Sequence, residues 1–250
     1  MGIDMSKMKE KLASLNRKGS EKNNFWRPKD GEQTIRIVPT ADGDPFKEFW
    51  FHYNLGSNTP FLSPKKNFGD ECPLDDFVRT LYKQGDPDSV KMAKNLTARQ
   101  RFFAPVLVRG EEEQGVRIWG FGKTAYQELL NLVLNPDYGD ITDVDSGTDL
   151  VIAYGKPAGA QFPQTSITPR RRTSPLVEDS DESARLLDAI PDVTTLFERP
   201  SPEDVGKMLH DYMTSIDEEM SASTGISTIS TAPTSKDNSV DSAFNELVNS

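Results

Sequence analysis

The sequence has little cysteine, few histidines and no long hydrophobic run, and each shortage excludes a class of protein. A single cysteine, Cys72, cannot form an internal disulfide and fits a reducing compartment. Runs of about 18 or more apolar residues are missing, so we expect neither a membrane-spanning helix nor a secretory signal. The two histidines, His52 and His210, have no catalytic companions in the sequence, which also lacks nucleophile elbows, phosphate-cradling loops and paired Cys-x-x-Cys motifs. We therefore expect a protein that is not an enzyme.

Positive charge is also scarce overall, but it is unevenly distributed. The 250 residues include 29 Lys and Arg against 39 Asp and Glu, which gives a net charge of -10. Residues 1–175 nonetheless hold 25 basic and 23 acidic residues, whereas residues 176–250 hold 4 and 16. Such segregation predicts separate functional pieces. We interpret residues 1–24 as a basic N-terminal arm, residues 25–176 as the core, and residues 177–250 as an acidic, partly disordered tail.

Both ends of the chain carry short amphipathic patterns. Residues 5–15 combine helical apolar spacing with basic side chains, so we predict a short helix that orders against a partner, the alternative being a frayed, solvated terminus. In the tail we predict helices over residues 183–190 and 201–220, followed by a Ser/Thr-rich linker over residues 221–239. Residues 241–248 mix acidic and apolar side chains, which is typical of a peptide that docks into a partner's groove.

The core has the texture of a small β protein. Residues 70–95 predict a helical insertion, and residues 124–133 predict a second helix. Five interrupted strands are the number found in a Greek-key barrel of the oligonucleotide-binding (OB) kind. The sequence thus predicts a mainly β fold with added helices, built on an OB-fold core. The five segments that predict strands, each bounded by turn residues, are 33–38, 46–53, 102–108, 116–121 and 150–154.

Basic and aromatic residues alternate through this core. Binding a single strand without sequence preference requires cations for the phosphates and ring faces on which bases stack. Because side chains of a strand alternate, the fourth predicted strand places four such residues on one face: Arg117, Trp119, Phe121 and Lys123. We predict that this face is an exposed stacking platform, the alternative being that its rings belong to the core. The other candidate nucleic-acid contacts are Arg36, Trp50, Tyr53, Lys65, Lys66, Phe68, Arg99, Arg101, Phe102 and Arg171.

Two charged segments have two interpretations each. Residues 170–172 are three arginines after the last predicted strand, and they fit either a solvated turn or a further phosphate contact. Residues 137–149 hold five aspartates, which could bind a hard cation for a metal-dependent nuclease. They lack the spacing of a calcium loop and its final glutamate. We therefore favour a solvated acidic loop.

Several short segments match one known family in order and spacing. They are Lys11-Leu-Ala-Ser-Leu, Thr34-Ile-Arg-Ile-Val-Pro39, Pro45-Phe46 with His52 seven residues after the proline, Cys72-Pro73, Phe102-Phe-Ala-Pro-Val-Leu-Val108 and Gly115-Val-Arg-Ile-Trp-Gly-Phe-Gly-Lys123. With these segments the chain resembles the single-stranded DNA-binding proteins of T-even-like bacteriophages, known as helix-destabilising proteins. The resemblance covers about residues 5–176 and rests on order and spacing, not on one signature.

The resemblance implies an OB-fold protein that coats single-stranded DNA cooperatively during replication, recombination and repair, in the cytoplasm of an infected bacterium. It implies an acidic tail that competes with DNA and recruits replication and recombination proteins. The alternatives to this function are a single-stranded RNA-binding regulator and an adaptor that acts through its acidic tail. By position, Arg36, Arg99, Phe102 and Trp119 match the family's binding cleft. The arm that docks on the neighbouring protomer would use Lys11, Leu12, Ser14, Arg17 and Lys18.

The family also implies a structural zinc held by one histidine and three cysteines. His52 and Cys72 match this set, but Asp75 stands where the second cysteine belongs, and Leu62 falls near the remaining ligand. Three ligands at most do not close a tetrahedral site. We therefore predict no structural zinc and no other cofactor. Stoichiometric zinc in metal-replete protein, measured by elemental analysis, would contradict this.

Overall fold

The structure is a computed structural model, and it describes residues 24–55, 60–197 and 199–223. The predicted basic arm and the predicted docking peptide lie outside these residues. Within them, none of the helices has both the length and the apolar character that crossing a membrane requires. By its internal contacts the chain divides into two compact units. Among the described residues, the first unit comprises 24–48 and 101–194, and the second comprises 49–55, 60–100, 195–197 and 199–223.

The described residues form eight strands and six α-helices, and the helices hold more residues than the strands. The strands are β1 Phe25–Trp26, β2 Gly31–Ile37, β3 Lys47–His52, β4 Phe61–Leu62, β5 Arg99–Val108, β6 Arg117–Phe121, β7 Thr148–Gly155 and β8 Gln164–Thr173. The helices are α1 Pro64–Phe68, α2 Pro73–Gln84, α3 Pro87–Leu96, α4 Lys123–Val133, α5 Ser180–Asp188 and α6 Pro202–Ser223. All five predicted strands are present with shifted ends.

An open, mostly antiparallel sheet organises the first unit. Its strands follow the order β1-β6-β5-β2-β7-β8, in which only the pairing of β1 with β6 is parallel. Ile35 of β2 and Ile152 of β7 face the same side, where they join the core with Leu129 of α4. The protein is therefore a mixed α/β fold. In the described residues this path of paired strands is open, with β1 at one end and β8 at the other.

Three strands and one helix have no counterpart in the sequence prediction: β1, β4, β8 and α1. The strand β8 contains Pro169 and three arginines, a composition that does not predict a strand. An edge strand tolerates both, because one side of its backbone pairs with no neighbour and its side chains remain in solvent. Because β8 spans Gln164–Thr173, residues 170–172 belong to a strand, and the prediction that they follow the last strand was wrong.

The predicted helical insertion consists of two helices, α2 and α3, in the second unit. Gly85 ends α2 in the left-handed region with a φ of 74°, a conformation that glycine adopts without steric cost. Asp86 then caps α3, because its side chain accepts a hydrogen bond from the backbone N–H of Ser89 at 2.9 Å. Pro87 occupies the first turn of α3. The sequence Gly-Asp-Pro therefore separates the two helices.

Part of the predicted tail is folded, because α6 packs into the second unit. Val205, Leu209 and Met213 of α6 are buried in one cluster with Phe77 and Leu81 of α2. The acidic charge lies mainly on this folded part: residues 176–223 hold 13 acidic and 3 basic residues, whereas residues 224–250 hold 3 and 1. A deletion from residue 177 onward would therefore remove core side chains together with the charge.

Candidate nucleic-acid interface

The first unit contains a groove with a volume of about 1270 Å³. This exceeds the roughly 300–1,000 Å³ of pockets that hold a drug-sized molecule, so the groove suits an oligomer better than a small ligand. Its walls come from the chain before and at the start of β2, the end of β6 with the start of α4, and the hairpin of β7 and β8. The charged residues that line it are Arg27, Arg101, Lys156, Glu32 and Glu128.

The three cations of the groove are exposed and available to an anion. In the part of the chain that the structure describes, Arg27, Arg101 and Lys156 have no ion-pair partner. The carboxylate of Glu128 is partly engaged, because its Oε2 accepts a hydrogen bond from the backbone N–H of Ile167 at 3.1 Å. Phosphates would therefore meet unneutralised positive charge here, and Arg101 is the one sequence-predicted contact that supplies it.

The aromatic residues that line this groove are Trp119 and Phe121 of β6, which are buried, and Tyr154 of β7. Tyr154 lines the groove and is half-buried. Phe162 lies in the loop between the two strands, and Pro157 and Pro163 on either side of it line the groove. The ring of Phe162 is 68% exposed, so it is free to stack with a base. Sequence reasoning missed Tyr154 and Phe162. Phe162 could have been predicted to be exposed, because it is a large aromatic residue in a segment rich in proline and glycine, which is typical of a surface loop.

The predicted stacking platform on β6 is not exposed. Trp119 and Phe121 are only 1% and 4% exposed, and Trp119 packs edge-on against Trp26 with ring centroids 5.8 Å apart. Arg117 is also buried, and its Nη2 donates to the carboxylate of Glu111 at 2.7 Å. The prediction assumed that an arginine would keep this face in solvent, but a paired arginine can be buried. The prediction of an exposed platform was therefore wrong: the rings of Trp119 and Phe121 belong to the core, and both residues also form part of the groove wall.

Arg36 is fully buried and makes structural contacts. Its Nε donates to Asp149 at 2.9 Å, and its Nη2 donates to the backbone oxygen and the hydroxyl of Ser174 at 2.8 Å. Asp149 also accepts from Arg109, so these four residues form what we call the Arg36 cluster. Burial lowers the pKa of Arg36, and the charge of Asp149 opposes that effect. A Cβ atom on Gly147 would lie 2.7 Å from Nη1 of Arg36, so only glycine fits there. Arg36 is thus unavailable to a phosphate, and that prediction was wrong.

Three further candidates of the first unit differ in exposure. Phe102 is 3% exposed and stacks on Tyr126 with ring centroids 3.9 Å apart, so its predicted role as a stacking surface is wrong. Lys123 is exposed at the first residue of α4, next to Thr124 of the groove wall. Arg171 is exposed on β8. Lys123 and Arg171 therefore remain accessible to a nucleic acid, whereas Phe102 does not.

In the second unit, α1 brings two predicted residues together. The ammonium group of Lys66 lies 5.6 Å from the centroid of the half-buried Trp50 ring. Asn67 fixes this geometry, because its side-chain amide bonds to both the backbone N–H and the carbonyl oxygen of Trp50 at 2.9 and 2.8 Å. Lys65 is paired with Asp76 at 2.7 Å and is less available. Among the described residues, Lys66 is thus the lysine of this helix that forms no ion pair.

The remaining predicted contacts of the second unit are more scattered. Phe68 is 41% exposed, and the guanidinium of Arg199 lies over its ring at 4.3 Å. Tyr53 is half-buried, with its ring 6.2 Å from that of Phe51. Arg99 is exposed at the start of β5. Arg199 was missed by sequence reasoning, because it lies far along the chain from the ring that it covers.

Three potential metal ligands converge in the second unit. His52 Nε2 lies 3.8 Å from Cys72 Sγ and 3.4 Å from Asp75 Oδ2. They are the only such group of three among the described residues. The donor set does not fit a closed zinc site, since Leu62 supplies no fourth ligand and the burial of His52 and Cys72 leaves little access for water. Burial also raises the pKa of the Cys72 thiol to about 12.

Hydrogen bonds already occupy the acidic member of this group. Asp75 Oδ2 accepts from the hydroxyl of Ser63 at 2.8 Å, and His52 Nδ1 lies 2.9 Å from the carbonyl oxygen of Leu96. Burial is the largest influence on the pKa of Asp75 and raises it, but the hydrogen bonds from His52, Ser63 and Cys72 bring the pKa below its ordinary value. The group therefore holds α2 and the β3–β4 hairpin together through polar contacts.

The aspartates of residues 137–149 are engaged in local turns. One carboxylate oxygen of Asp143 accepts from the backbone N–H of Asp145 and of Ser146, at 2.9 and 2.7 Å. Asp140 accepts from the N–H and hydroxyl of Thr142. Asp149 belongs to the Arg36 cluster. The local turns of Asp140 and Asp143 support the interpretation as a solvated acidic loop, but Asp149 is buried in β7 and does not belong to that loop.

Comparison with models of known protein families gives no match, and comparison with curated protein sequences gives none either. The features that bear on function are therefore the groove, the charges around it and the sequence segments described above. The groove and the charges around it depend on the fold, whereas the segments can be identified in the sequence alone.

Proposed function

We propose that this chain is a single-stranded DNA-binding protein that coats and protects the strand during phage DNA replication, recombination and repair. The observation that carries the proposal is the groove, whose wall holds Tyr154 and three cations that have no ion-pair partner among the described residues. The exposed ring of Phe162 lies in the adjacent loop between β7 and β8. Cations and stacking rings are the two elements that binding without sequence preference requires. The resemblance to helix-destabilising proteins over residues 5–176 supports the same proposal.

The charges of the groove suggest how a strand would lie in it. Phosphates would approach Arg27, Arg101 and Lys156, and the counterions released from the strand would drive binding at low salt. The carboxylates of Glu32 and Glu128 repel phosphates, so the bases would turn toward them and toward the rings. Base edges with amino groups can donate hydrogen bonds to carboxylates. This arrangement tolerates every base, because each has a ring face that stacks.

The finer architecture and the assembly belong to the same proposal. We propose that the sheet of the first unit is an OB-like core, because β2, β5, β6 and β7 are four of the five strands expected for it. We also propose that residues 1–24 contact the neighbouring protomer on DNA, and that replication and recombination proteins bind the acidic tail. The expected setting is the cytoplasm of an infected bacterium.

The test is a titration with a fluorescent oligo-dT at two salt concentrations. We expect Arg101→Ala/Lys156→Ala to weaken binding about tenfold or more at low salt and to flatten the salt dependence, because about two phosphate contacts are lost. Phe162→Ala should also weaken binding, since stacking contributes about 1–3 kcal/mol per base. All these side chains are exposed, so the thermal unfolding midpoint should stay unchanged.

The matched control is Lys91→Ala/Lys94→Ala, which removes two exposed charges from α3 in the second unit. If it weakens binding as much as the groove variant, net charge and not the groove governs affinity. Absence of binding by the wild-type chain would refute the proposal outright. If a matched RNA oligonucleotide displaces the labelled DNA as effectively as unlabelled DNA does, the RNA-binding alternative is favoured. The comparison is needed because stacking does not distinguish the two sugars.

A further inference from the structure

The strand β8 carries an irregularity that holds three exposed arginines, residues 170–172. Thr148 of β7 pairs with Thr173, but Leu150 pairs with Pro169, so β8 uses more residues than β7 over the same step. Residues 170–172 lie at this register shift, and we call them the arginine bulge. Bulges occur preferentially at sheet edges and next to functional sites, where they redirect side chains. β8 is an edge strand, so these side chains point into solvent.

The arginine bulge concentrates positive charge without neutralising it. Within the described ranges, Arg170, Arg171 and Arg172 have no ion-pair partner. Arg170 donates one hydrogen bond, from Nη2 to the hydroxyl of Thr34 on β2, at 3.2 Å. Three adjacent like charges repel one another, and the repulsion is relieved when an anion binds between them.

The arginine bulge and the groove share the same strands. Gln164, Thr165 and Ser166, at the other end of β8, line the groove. Glu32 also lines it, two residues before the Thr34 that Arg170 contacts. A strand rises about 3.3 Å per residue, so the bulge begins about 13 Å beyond Ser166. A strand that kept the duplex spacing of about 3.4 Å per nucleotide would need about four more nucleotides to span that distance, and a more extended strand would need fewer.

We infer that the arginine bulge is a second phosphate-binding element, which takes the backbone of a single strand after it leaves the groove. The inference rests on the proposed function and adds a length requirement to it. An oligonucleotide that only fills the groove does not reach the bulge. A longer one gains the additional phosphate contacts, so affinity rises in a step with length. The occupant is the sugar-phosphate backbone, because the bulge offers charge but no large ring.

The experiment compares two lengths, dT4 and dT16, by fluorescence anisotropy at low salt with the full chain. We expect Arg171→Ala/Arg172→Ala to bind dT4 within twofold of wild type and dT16 about tenfold or more weakly. Its salt slope with dT16 should fall by about 1.4, which is the value for two phosphates on a single strand. Arg170 is kept because of its contact with Thr34. Arg171→Lys/Arg172→Lys should recover most of the dT16 affinity, since it keeps the charge.

The control Lys91→Ala/Lys94→Ala removes the same charge elsewhere and should bind both lengths as wild type does. If wild type binds both lengths and the Arg171→Ala/Arg172→Ala variant binds them equally well, the inference is overturned. The proposed function is then unaffected. An equal loss for dT4 and dT16 overturns it too, because the bulge would then belong to the groove. If the variant binds dT16 more tightly than wild type does, the arginine bulge binds an acidic segment of the protein or another anion instead of DNA. That result also overturns the inference. If wild type binds neither length, both proposals fail.

Discussion

The Arg36 cluster and the groove both depend on arginines in or beside strands, yet their surroundings are opposite. Arg36 is fully buried against Asp149, whereas Arg101 is exposed and has no ion-pair partner among the described residues. In sequence the two look alike, because each is a basic residue within a β-rich segment. The carboxylate that distinguishes them is distant along the chain. The comparison teaches that an arginine's role is decided by its partner and not by its neighbours in sequence.

Replacement of Arg36 gives the largest effect that this comparison predicts. Arg36→Ala leaves a cavity and removes the donors that satisfy Asp149 and Ser174, so we expect the free energy of unfolding to fall by about 3–5 kcal/mol. Urea denaturation measures this loss. Arg101→Ala should change stability by less than about 0.5 kcal/mol while weakening DNA binding. A stable Arg36→Ala variant that no longer binds DNA would break the comparison.

Gly147→Ala probes the same cluster more gently. The new Cβ would lie 2.4 Å from the carbonyl oxygen of Asp143 and 2.7 Å from Nη1 of Arg36, and overpacking of this kind costs about 1–3 kcal/mol. Gly155→Ala at the groove is the matched control, since a Cβ there meets nothing within 4 Å. Differential scanning calorimetry should show a lower unfolding midpoint for the first variant only. Equal unfolding midpoints would mean that the Arg36 cluster rearranges to accommodate the added methyl group without a loss of stability.

Glu111→Gln gives the smallest of the three effects and depends on pH. The hydrogen bond from Arg117 is the main reason why the pKa of Glu111 lies below its ordinary value of 4.5. A lowered pKa stabilises the folded state above the ordinary value, and this stabilisation is lost as pH falls through the folded pKa. We expect a loss of under about 1 kcal/mol at neutral pH that disappears in acid. Urea titrations at both pH values, with Glu113→Gln as control, measure it. A difference that persisted in acid would contradict the ion pair as its cause.

Local signals predicted much of the fold. The apolar segments that became β2, β5, β6 and β7 are bounded by turn residues, and the stripe that became α4 repeats at helical spacing, so both could be identified without tertiary information. The strand β8 could not, since an edge strand with Pro169 and three arginines has no apolar alternation to detect. The helix α1 is only five residues long, and its stability comes from Asn67 bonding to the neighbouring strand.

The candidate site was less predictable than the fold. The cations of the groove, Arg27, Arg101 and Lys156, come from three distant parts of the sequence, and only Arg101 was predicted. Alternation correctly placed Trp119 and Phe121 on one face, but alternation does not say which face of a strand is buried. That depends on which elements cover the strand. The convergence of His52, Cys72 and Asp75 followed from the resemblance, while their hydrogen-bond partners did not.

The packing of α6 against α2 has a consequence for how the chain folds during synthesis. Phe77 and Leu81 are made early, but Val205, Leu209 and Met213, which complete their cluster, leave the ribosome only after most of the first unit has been translated. Until then the nascent chain carries an apolar helix surface without its final cover. Transiently exposed surfaces of this kind promote aggregation and recruit chaperones. A slow translation step before α6 would lengthen that period of vulnerability.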